Sequence, residues 1–581
     1  MKSIYIAVLL AIPSVASAQS AFDAFRLSQH ELRGSARFMS MAGAFGALGG
    51  DISTMTQNPA GIGIYTRSEI GASVEFDFQN MSLTGVGKSN TSTNINNIGY
   101  VGSAYTGSSV MPYFTWGVSY NRLQSFDRKF IGGFNSIPAS LTEYMASTAN
   151  GLQFAGNGGI LGTKDYDPFY AQMPYLPTLA VNTGLIVPGG YDAQGYQMYA
   201  PLFRDGSYGS ASTWTRESGY TDEYSINFGG NFANVLYWGI GFGIRDVSFT
   251  SRTYYGEAIN DGYIPAYDYL NSVYGMNQNT RGVIPGYNGY AESYPGYADW
   301  GLENYQTVHG SGFNMKVGLI FKPVNEFRLG LAVHTPTWYH LTYGSNAWVD
   351  YDIVGDDGVE EADMYSSSNM YGYENPYATA GYGEWNSRLN TPWRLLASAA
   401  GVIGGRFIIS ADYEYDAYKD ITVHTPDDGT FGGIQQALET DKGIKSDVKT
   451  YFQATNTVRV GAEYRIDRHW SGRLGYSWQS SPTTAEARSG SQYIYGAGAQ
   501  TISEMLNSTQ HYTCGVGYRN GGFYLDLAYV HRRSTSEWQA FSAFPLQGSD
   551  DYTLAAQHLT APRATLTDTR NQLVLSLGFK F

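Results

Sequence analysis

The residues best suited to chemistry in this chain of 581 residues are basic side chains within apolar segments. A guanidinium group can bind a carboxylate through two parallel hydrogen bonds, so in a partly dry pocket it could hold the head group of an acidic ligand. The candidate ligand-binding residues are Lys316, Arg328, Arg394, Arg459 and Arg473. The alternative is a hydrated ladder of charges, because acids such as Glu463 and Asp526 occur in the same segments.

Arg459 and Arg473 carry the most specific of these expectations. A short turn at residues 467–469 joins the two segments that contain them. Counting residues from this turn places both side chains at comparable depth. We therefore predict that the two arginines together bind one carboxylate.

Other kinds of site are disfavoured by residue type and spacing. The nine histidines form neither an H-E-x-x-H nor a C-x-x-C-H pattern, and no local nucleophile motif is present. The acidic run at residues 350–363 does not match an EF-hand, and either solvation or loose bridging of divalent cations would fit it. We expect no enzymatic activity, no metal and no cofactor.

The composition is typical of strands and turns. The chain has 70 Gly and 49 Tyr residues, and 15% of its residues are aromatic. No uninterrupted apolar run is long enough for a transmembrane helix, and the single cysteine, Cys514, excludes an intramolecular disulfide. A net charge of -14 argues against nucleic acid as a partner.

The first residues have the pattern of a secretory signal peptide. Lys2 precedes a short apolar core at residues 4–12, Pro13 follows, and Ala16-Ser17-Ala18 matches the small-residue cleavage pattern. We predict a signal peptide at residues 1–18 and cleavage before Gln19.

Alternation with a period of two residues recurs along the mature chain. At the C-terminus, Leu573, Leu575 and Leu577 lie on one face and Gln572 and Ser576 on the other. A face that carries charges and glycines would suit a hydrated lumen. The pattern predicts strands at residues 68–79, 96–106, 113–122, 223–233, 236–249, 309–321, 327–343, 392–402, 405–417, 453–466, 470–479, 510–519, 522–533 and 569–581.

The links between these segments alternate between short turns and long loops. Short periplasmic turns, long external loops and an even number of strands are the features of a bacterial outer-membrane barrel. We therefore predict an all-β fold, a transmembrane antiparallel up-and-down β-barrel of about fourteen strands over residues 67–581, in the outer membrane of a Gram-negative bacterium.

Residues 19–66 fit neither the helical nor the strand period. They are rich in small residues and contain the turn Asn58-Pro59-Ala60-Gly61. A barrel of this size would otherwise leave a wide pore. We predict that this segment is a plug inside the lumen.

Four groups of residues in this segment lie in order directly before the first strand: Gly34-Ser35-Ala36-Arg37, Ala42-Gly43-Ala44-Phe45, Asp51-Ile52-Ser53 and Gln57-Asn58-Pro59-Ala60-Gly61. With them, the segment resembles the FadL-type family of outer-membrane transporters for long-chain fatty acids and other hydrophobic compounds. The family's plug ends in an Asn-Pro-Ala motif placed in this way. The loops at residues 123–222 and 250–308 are longer than the family usually carries.

The resemblance implies passive transport of a hydrophobic compound or fatty acid by a monomer that contacts outer-membrane lipid and lipopolysaccharide. The ligand would reach a luminal pocket and leave sideways, at an inward kink of the third strand. Pro112 and Gly117 are the kink candidates, because both residue types interrupt ladders. Pro112 could equally end a periplasmic turn.

A structural or protein-secretion accessory barrel of the outer membrane is the alternative function. A general hydrophilic porin is disfavoured by the predicted plug.

Overall fold

The structure is a computed structural model that describes residues 20–151, 175–182, 185–191, 197–201, 208–265, 293–355, 383–426, 438–490, 494, 498–542 and 561–581. The predicted signal peptide and residues 356–363 of the acidic run lie outside this range. The helices are α1 (Ala21–Ser28), α2 (Ala36–Ser40), α3 (Leu141–Gly151), α4 (Tyr175–Asn182), α5 (Lys442–Tyr451) and α6 (Ala485–Ser489), with 3-10 helices η1 (Ile52–Thr56), η2 (Pro59–Ile64) and η3 (Tyr418–Asp420).

Strands dominate the chain. They are β1 (Glu69–Leu83), β2 (Val86–Tyr105), β3 (Tyr113–Ser125), β4 (Arg128–Phe134), β5 (Ile186–Tyr191), β6 (Gln197–Pro201), β7 (Tyr208–Phe232), β8 (Leu236–Pro265), β9 (Ser293–Val324), β10 (Phe327–His334), β11 (Trp338–Gly355), β12 (Gly383–Asn390), β13 (Arg394–Ile403), β14 (Phe407–Asp416), β15 (Thr422–Pro426), β16 (Leu438–Thr440), β17 (Thr455–Arg465), β18 (Trp470–Gln479), β19 (Ser503–Asn520), β20 (Phe523–Gln539) and β21 (Arg563–Lys580).

Fourteen of these strands form a closed antiparallel ring. Its order is β1, β2, β3, β7, β8, β9, β10, β13, β14, β17, β18, β19, β20 and β21. The last strand pairs with the first from Glu69↔Lys580 to Ser82↔Thr567. Closure gives every wall strand two neighbours, so the predicted barrel of about fourteen strands is confirmed.

The outer face of the ring is an apolar belt. On β21, exposed Leu573, Leu575 and Leu577 alternate with buried Val574 and Ser576. Aromatic pairs lie at both edges of the belt: Tyr476 and Tyr512 at one end (ring centroids 5.2 Å apart), Trp470 and Tyr518 at the other (5.0 Å). A belt with two aromatic girdles is the surface of a membrane-spanning barrel.

The helices of the described part of the chain are all too short or too polar to span a bilayer.

The two ends of the barrel differ in their connections. The end where β1 begins and β21 finishes has short turns, which makes it the periplasmic end. The opposite, external end has the long links, with one exception. β1 and β2 meet in a two-residue turn in which Thr84 (φ 52°) and Gly85 (φ 81°) are both left-handed, as a tight hairpin requires.

The external wall divides near Pro336. The sequence predicts one strand over residues 327–343, but Thr335-Pro336-Thr337 separates β10 from β11 because proline cannot donate to the ladder. β10 pairs with β13, whereas β11 pairs with β12, and β12 with β15. The branch β11–β12–β15–β16 extends the wall beyond the membrane on one side.

The predicted kink at Pro112 and Gly117 is not where the β3 ladder is interrupted. β3 pairs with β2 without a register shift from Tyr113↔Tyr105 to Asn121↔Asn97, and Pro112 lies in the preceding turn. Gly117 instead leaves room for the N-terminal segment, because a Cβ at this position would lie 2.7 Å from Met55 Sδ. The irregularity occurs at Leu123, an extra residue between Arg122 and Gln124 relative to β7.

We expect Leu575→Arg to destabilise the folded barrel by about 2–4 kcal/mol, because it places a charge near the middle of the apolar belt. Thr565→Arg, on the same face of β21 but exposed beyond the belt, should cost at most about 1 kcal/mol. Folding titrations into lipid vesicles measure both. Ser576 is unsuitable as the control, because its Oγ accepts a hydrogen bond from Ala36 N (2.7 Å). Equal costs for the two variants would contradict the placement of the belt.

Candidate functional site

The candidate site is the barrel interior, which holds the luminal segment (residues 20–66). Short capped helices build this segment. Ser20 and Asp23 form a capping box on α1, and the side chain of Ser35 accepts from Phe38 N at the start of α2. Asp51 caps η1 in the same way. These caps provide hydrogen-bond acceptors for backbone N–H groups at the helix ends, which the packing of small residues alone would leave without partners.

Asn58-Pro59-Ala60-Gly61 fixes the end of the luminal segment to the wall. Asn58 Oδ1 accepts from Ala60 N (3.1 Å), and Asn58 Nδ2 donates to Gly46 O (2.6 Å). Two wall glycines leave room for this turn. A Cβ on Gly239 would lie 2.2 Å from Pro59 O, and one on Gly318 would lie 1.9 Å from Asn58 Oδ1. The motif therefore docks directly against the backbone of these glycines on β8 and β9.

Charged side chains attach the luminal segment to the rest of the ring. Arg33 Nη1 donates to Glu75 (2.9 Å) on β1, and Arg37 Nε donates to Glu463 (2.9 Å) on β17. Asp412 on β14 accepts from Gly46 N (3.0 Å). Arg33 and the three carboxylates are buried and the side chain of Arg37 is 11% exposed, so breaking one of these pairs would leave its partner largely shielded from water.

All five predicted ligand-binding cations face the lumen, and four of them already have carboxylate partners. Lys316 pairs with Glu223, and Arg394 and Arg459 share Glu414 (2.7 and 2.9 Å). Arg473 pairs with Glu463 (2.8 Å) and Asp526 (2.6 Å). Arg328 instead donates to the carbonyl of Leu48 (2.7 Å). The structure thus matches the alternative of a paired ladder more closely than a set of free anion receptors.

Arg459 and Arg473 do not lie at the same depth in the barrel. This corrects the prediction that the two arginines together bind one carboxylate. The register pairs Arg473 with Glu463 and Arg459 with Ser477. The two arginines are thus four residues apart along the strands, about 13 Å at ~3.3 Å per residue. Each neutralises a different carboxylate cluster.

One group of side chains has the geometry of a metal site. Ligand atoms of His30, Glu414 and Asp416 lie within 4.8 Å of one another. Arg394 and Arg459 donate to the same Glu414, and Arg394 also approaches Asp416 (3.3 Å). Two cations in contact with the ligands would oppose a metal ion, so the group acts chemically as an ion-pair network that joins the luminal segment to β14.

A cavity of about 180 Å³ lies in the lumen on the external side of this network. Its lining is mixed. Phe22, Phe25, Phe126 and Tyr418 give it an aromatic side, and hydroxyl, amide and charged groups from β17 to β21 give it a polar one. An engineered apolar cavity of about 150 Å³ holds a benzene ring. This space therefore fits one ring or a short stretch of acyl chain beside a polar group.

An apolar roof separates the cavity from the exterior. Leu141 and Met145 of α3 pack with Trp300, Trp538 and Phe541 in one buried cluster. Glu257 lies within it, and its carboxylate accepts from Ser140 Oγ (2.6 Å) and Leu141 N (2.7 Å). Burial raises the pKa of Glu257 to about 7. The carboxyl group caps α3 and fixes the roof to β8.

Several residues that hold the luminal segment were not identified from the sequence. Asn96 accepts from Arg33 Nη1 (3.2 Å) and donates to Glu75 (2.8 Å). It is the extra residue where β2 shifts register against β1. The signal was available, because outward-facing Ile95 and Ile98 are three residues apart instead of two. His30 and Glu31 of the luminal segment had no such signal.

Comparisons with known proteins give matches in structure alone. No known protein family and no curated protein matches by sequence. A FadL homologue from Pseudomonas aeruginosa matches at 14% identity and a TM-score of 0.47, over 95% of this chain and 99% of that one. The chain is thus similar to a FadL-type protein.

Two toluene transporters are also similar, each at 12% identity over 95% of this chain and 99% of the other. They are TodX from Pseudomonas putida (TM-score 0.42) and TbuX from Ralstonia pickettii (0.38). These similarities are to the fold, and the function proposed next rests on the geometry of the barrel itself.

Proposed function

We propose that the protein is an outer-membrane channel of a Gram-negative bacterium that passes hydrophobic or amphipathic compounds, acting as a monomer. The luminal segment is its plug, and the ligand leaves sideways through the wall. The observation that carries the proposal is the end of the β2–β3 ladder at Asn97↔Asn121, beside the luminal cavity.

The wall is interrupted above this point, until β4 meets the β1–β2 hairpin at the external end, where Gly133 N donates to Thr84 Oγ1 (3.1 Å). β2 continues to Val86 with β1 as its partner, whereas β3 turns inward and the carbonyl of Leu123 accepts from Glu31 N of the plug (2.9 Å). Gln124 and Ser125, which follow, line the cavity. Tyr120, the last aromatic residue on the outer face of β3, packs against Tyr224 (5.5 Å) and marks the edge of the belt. The gap therefore links the cavity with the external membrane interface.

A lateral route suits a compound that is poorly soluble in water. Transfer of an apolar chain out of water is favourable by about 0.8 kcal/mol per CH₂, so a path from cavity to bilayer avoids a hydrated lumen. The plug blocks the axial route. Aromatic groups at Phe22, Phe25 and Phe126 would contact the apolar part, and the polar side of the cavity would accept a head group such as a fatty acid carboxylate.

Arg122 is the bridge across the gap. Its Nη1 donates to Asn94 Oδ1 on β2 (2.9 Å), and its other groups bind Asp222 on β7. A residue that spans the opening and is only partly buried can move without breaking the barrel. We assign it the role of a gate. For the alternative, a structural or protein-secretion barrel, the described residues offer no specific observation.

A reversible cross-link tests the route. In a Cys514→Ala background, Asn94→Cys and Arg122→Cys are joined by a bis-maleimide with a cleavable disulfide in its spacer, because a direct disulfide would need closer Cα atoms than a contact through a long arginine side chain provides. The cross-link should reduce uptake of radiolabelled toluene and of a long-chain fatty acid by roughly tenfold, and cleavage of the spacer by a reductant should restore it. Asn97→Cys with Asn121→Cys, the last pair of the intact ladder, is the matched control and should leave uptake unchanged after the same cross-linking. Normal uptake through the cross-linked gate would contradict the lateral route.

A further inference from the structure

The periplasmic end of the lumen carries a row of positive charge. Four wall strands each have a basic residue as the inward-facing position nearest the periplasmic end. We call these residues the basic arc: Lys322 on β9, Arg328 on β10, Arg465 on β17 and Arg519 on β19. Their orientation follows from alternation: Leu329 faces lipid beside Arg328, and Tyr464 does so beside Arg465. The arc therefore points towards the barrel axis and the periplasm.

No member of the basic arc forms an ion pair with any residue that the structure describes. Arg328 and Arg465 donate to the carbonyls of Leu48 (2.7 Å) and Gly405 (3.5 Å), and Lys322 lies 5.9 Å from the ring centre of Tyr237. Arg328 Nε is buried without a partner. Deeper in the lumen the opposite holds, since Lys316, Arg459 and Arg473 all have carboxylate partners.

Neighbouring turns strengthen the positive potential. Arg406 and Arg468 lie exposed beside the arc, and a backbone hydrogen bond from Arg465 N to Arg406 O (2.9 Å) fixes two of these residues together. Two acids lie in the turns at this end. Asp467 is engaged by the backbone N–H groups of His469 (2.6 Å) and Trp470 (2.8 Å), and the exposed Glu326 lies between β9 and β10, so cations outnumber acids here. In a chain with a net charge of -14, this concentration of unpaired cations marks a surface for an anionic partner.

The dimensions and direction of the arc select the kind of partner. It runs over seven adjacent wall strands, about 29 Å at ~4.8 Å per strand, which is far wider than one carboxylate or phosphate. Its inward orientation turns it away from the lipid head groups around the barrel. We propose that the basic arc docks an acidic, extended segment of a periplasmic protein. Charge complementarity supplies the specificity, and roughly nine residues in extended conformation span the arc.

The test uses the full-length protein in a neutral maltoside detergent and a fluorescein-labelled deca-glutamate peptide. Fluorescence anisotropy should detect binding that weakens with salt. Peptide binding should be at least tenfold weaker in the arc variant, which combines Lys322→Gln, Arg328→Gln, Arg465→Gln and Arg519→Gln. The matched control removes four cations from the external end: Lys419→Gln, Lys442→Gln, Lys445→Gln and Lys449→Gln. These lysines are exposed, and the control should bind the peptide within twofold of wild type.

Three outcomes would overturn the proposal. They are peptide binding that survives in the arc variant, an equal loss in both variants, or competition by the membrane. For the last, nanodiscs with phosphatidylglycerol are compared with nanodiscs of phosphatidylcholine. If phosphatidylglycerol abolishes peptide binding to wild type, and the arc variant no longer enriches this lipid, the arc is a lipid site. Heat-modifiable migration on gels checks that each variant is folded, and hydrophobic uptake, measured separately, reports on the proposed channel function alone.

Discussion

Deletion of residues 22–50 should leave a folded barrel whose single-channel conductance is higher than that of the intact protein, on the order of tenfold or more, because an unfilled ring of this size encloses a wide pore. The deletion removes α1, α2 and the contacts of Arg33, Arg37 and Gly46 with the wall. The strand pairing of the fourteen-stranded ring involves none of the deleted residues. Planar lipid bilayer recordings measure the effect.

A shorter deletion provides the control. Removing only α1 takes away Phe22 and Phe25, which pack against Tyr451 and Phe452 at the external side. The seal from α2 to η2 remains, so conductance should stay close to that of wild type. A folded barrel that lacks residues 22–50 and still conducts like the intact protein would show that this segment is not the plug.

Glu414→Ala should have the largest effect on stability among single substitutions in the lumen. Glu414 is buried and binds His30 (3.0 Å), Arg394 (2.7 Å) and Arg459 (2.9 Å). Its loss leaves Arg459 without a carboxylate in direct contact, and removing one partner of a buried ion pair costs about 3–5 kcal/mol. Unfolding in urea, followed by tryptophan fluorescence in vesicles, gives the free energy of unfolding.

A double-mutant cycle separates this network from simple loss of packing. Glu414→Ala combined with Arg459→Leu should be less destabilised than the sum of the single variants, because the stranded charge is also removed. Arg252→Gln is the control. This side chain is 48% exposed in its ion pair with Glu303, and ion pairs of exposed groups contribute about 1 kcal/mol or less. Additive effects of Glu414 and Arg459 would mean that their contact contributes no coupling energy.

The alternation of residue types was sufficient to locate the wall. β18 was predicted at residues 470–479 and has those bounds, and β17 differs by one or two residues at each end. Alternation works here because lipid on one side and water or a polar plug on the other impose opposite requirements on successive side chains. β7, β8 and β9 run far beyond their predicted ends, since outside the belt both faces become polar or packed and the contrast fades.

The pairing of the luminal charges could not be predicted from the sequence in the same way. The sequence shows that Arg459 and Glu414 both face inward, but contact between them depends on β14 lying next to β17 and on their register. Contacts between the luminal segment and the wall are still harder to predict, because His30 and Glu414 are 384 residues apart in the sequence. Type and orientation of a side chain are local properties, whereas its partner is set by closure of the ring.

The hydrogen bond from Ala36 N to Ser576 Oγ joins residues 540 positions apart, almost the whole length of the chain. Ser68 and Phe581 exchange two backbone hydrogen bonds (3.1 and 3.0 Å) at the periplasmic end of the same strand pair. Contacts of such sequence separation form late in folding, because the intervening chain must be ordered first. The first and last parts of the polypeptide thus complete one another in a single step. Until β21 arrives, the barrel has two free edges and an N-terminal segment lacking part of its binding surface, which is the state that most needs protection from aggregation before insertion.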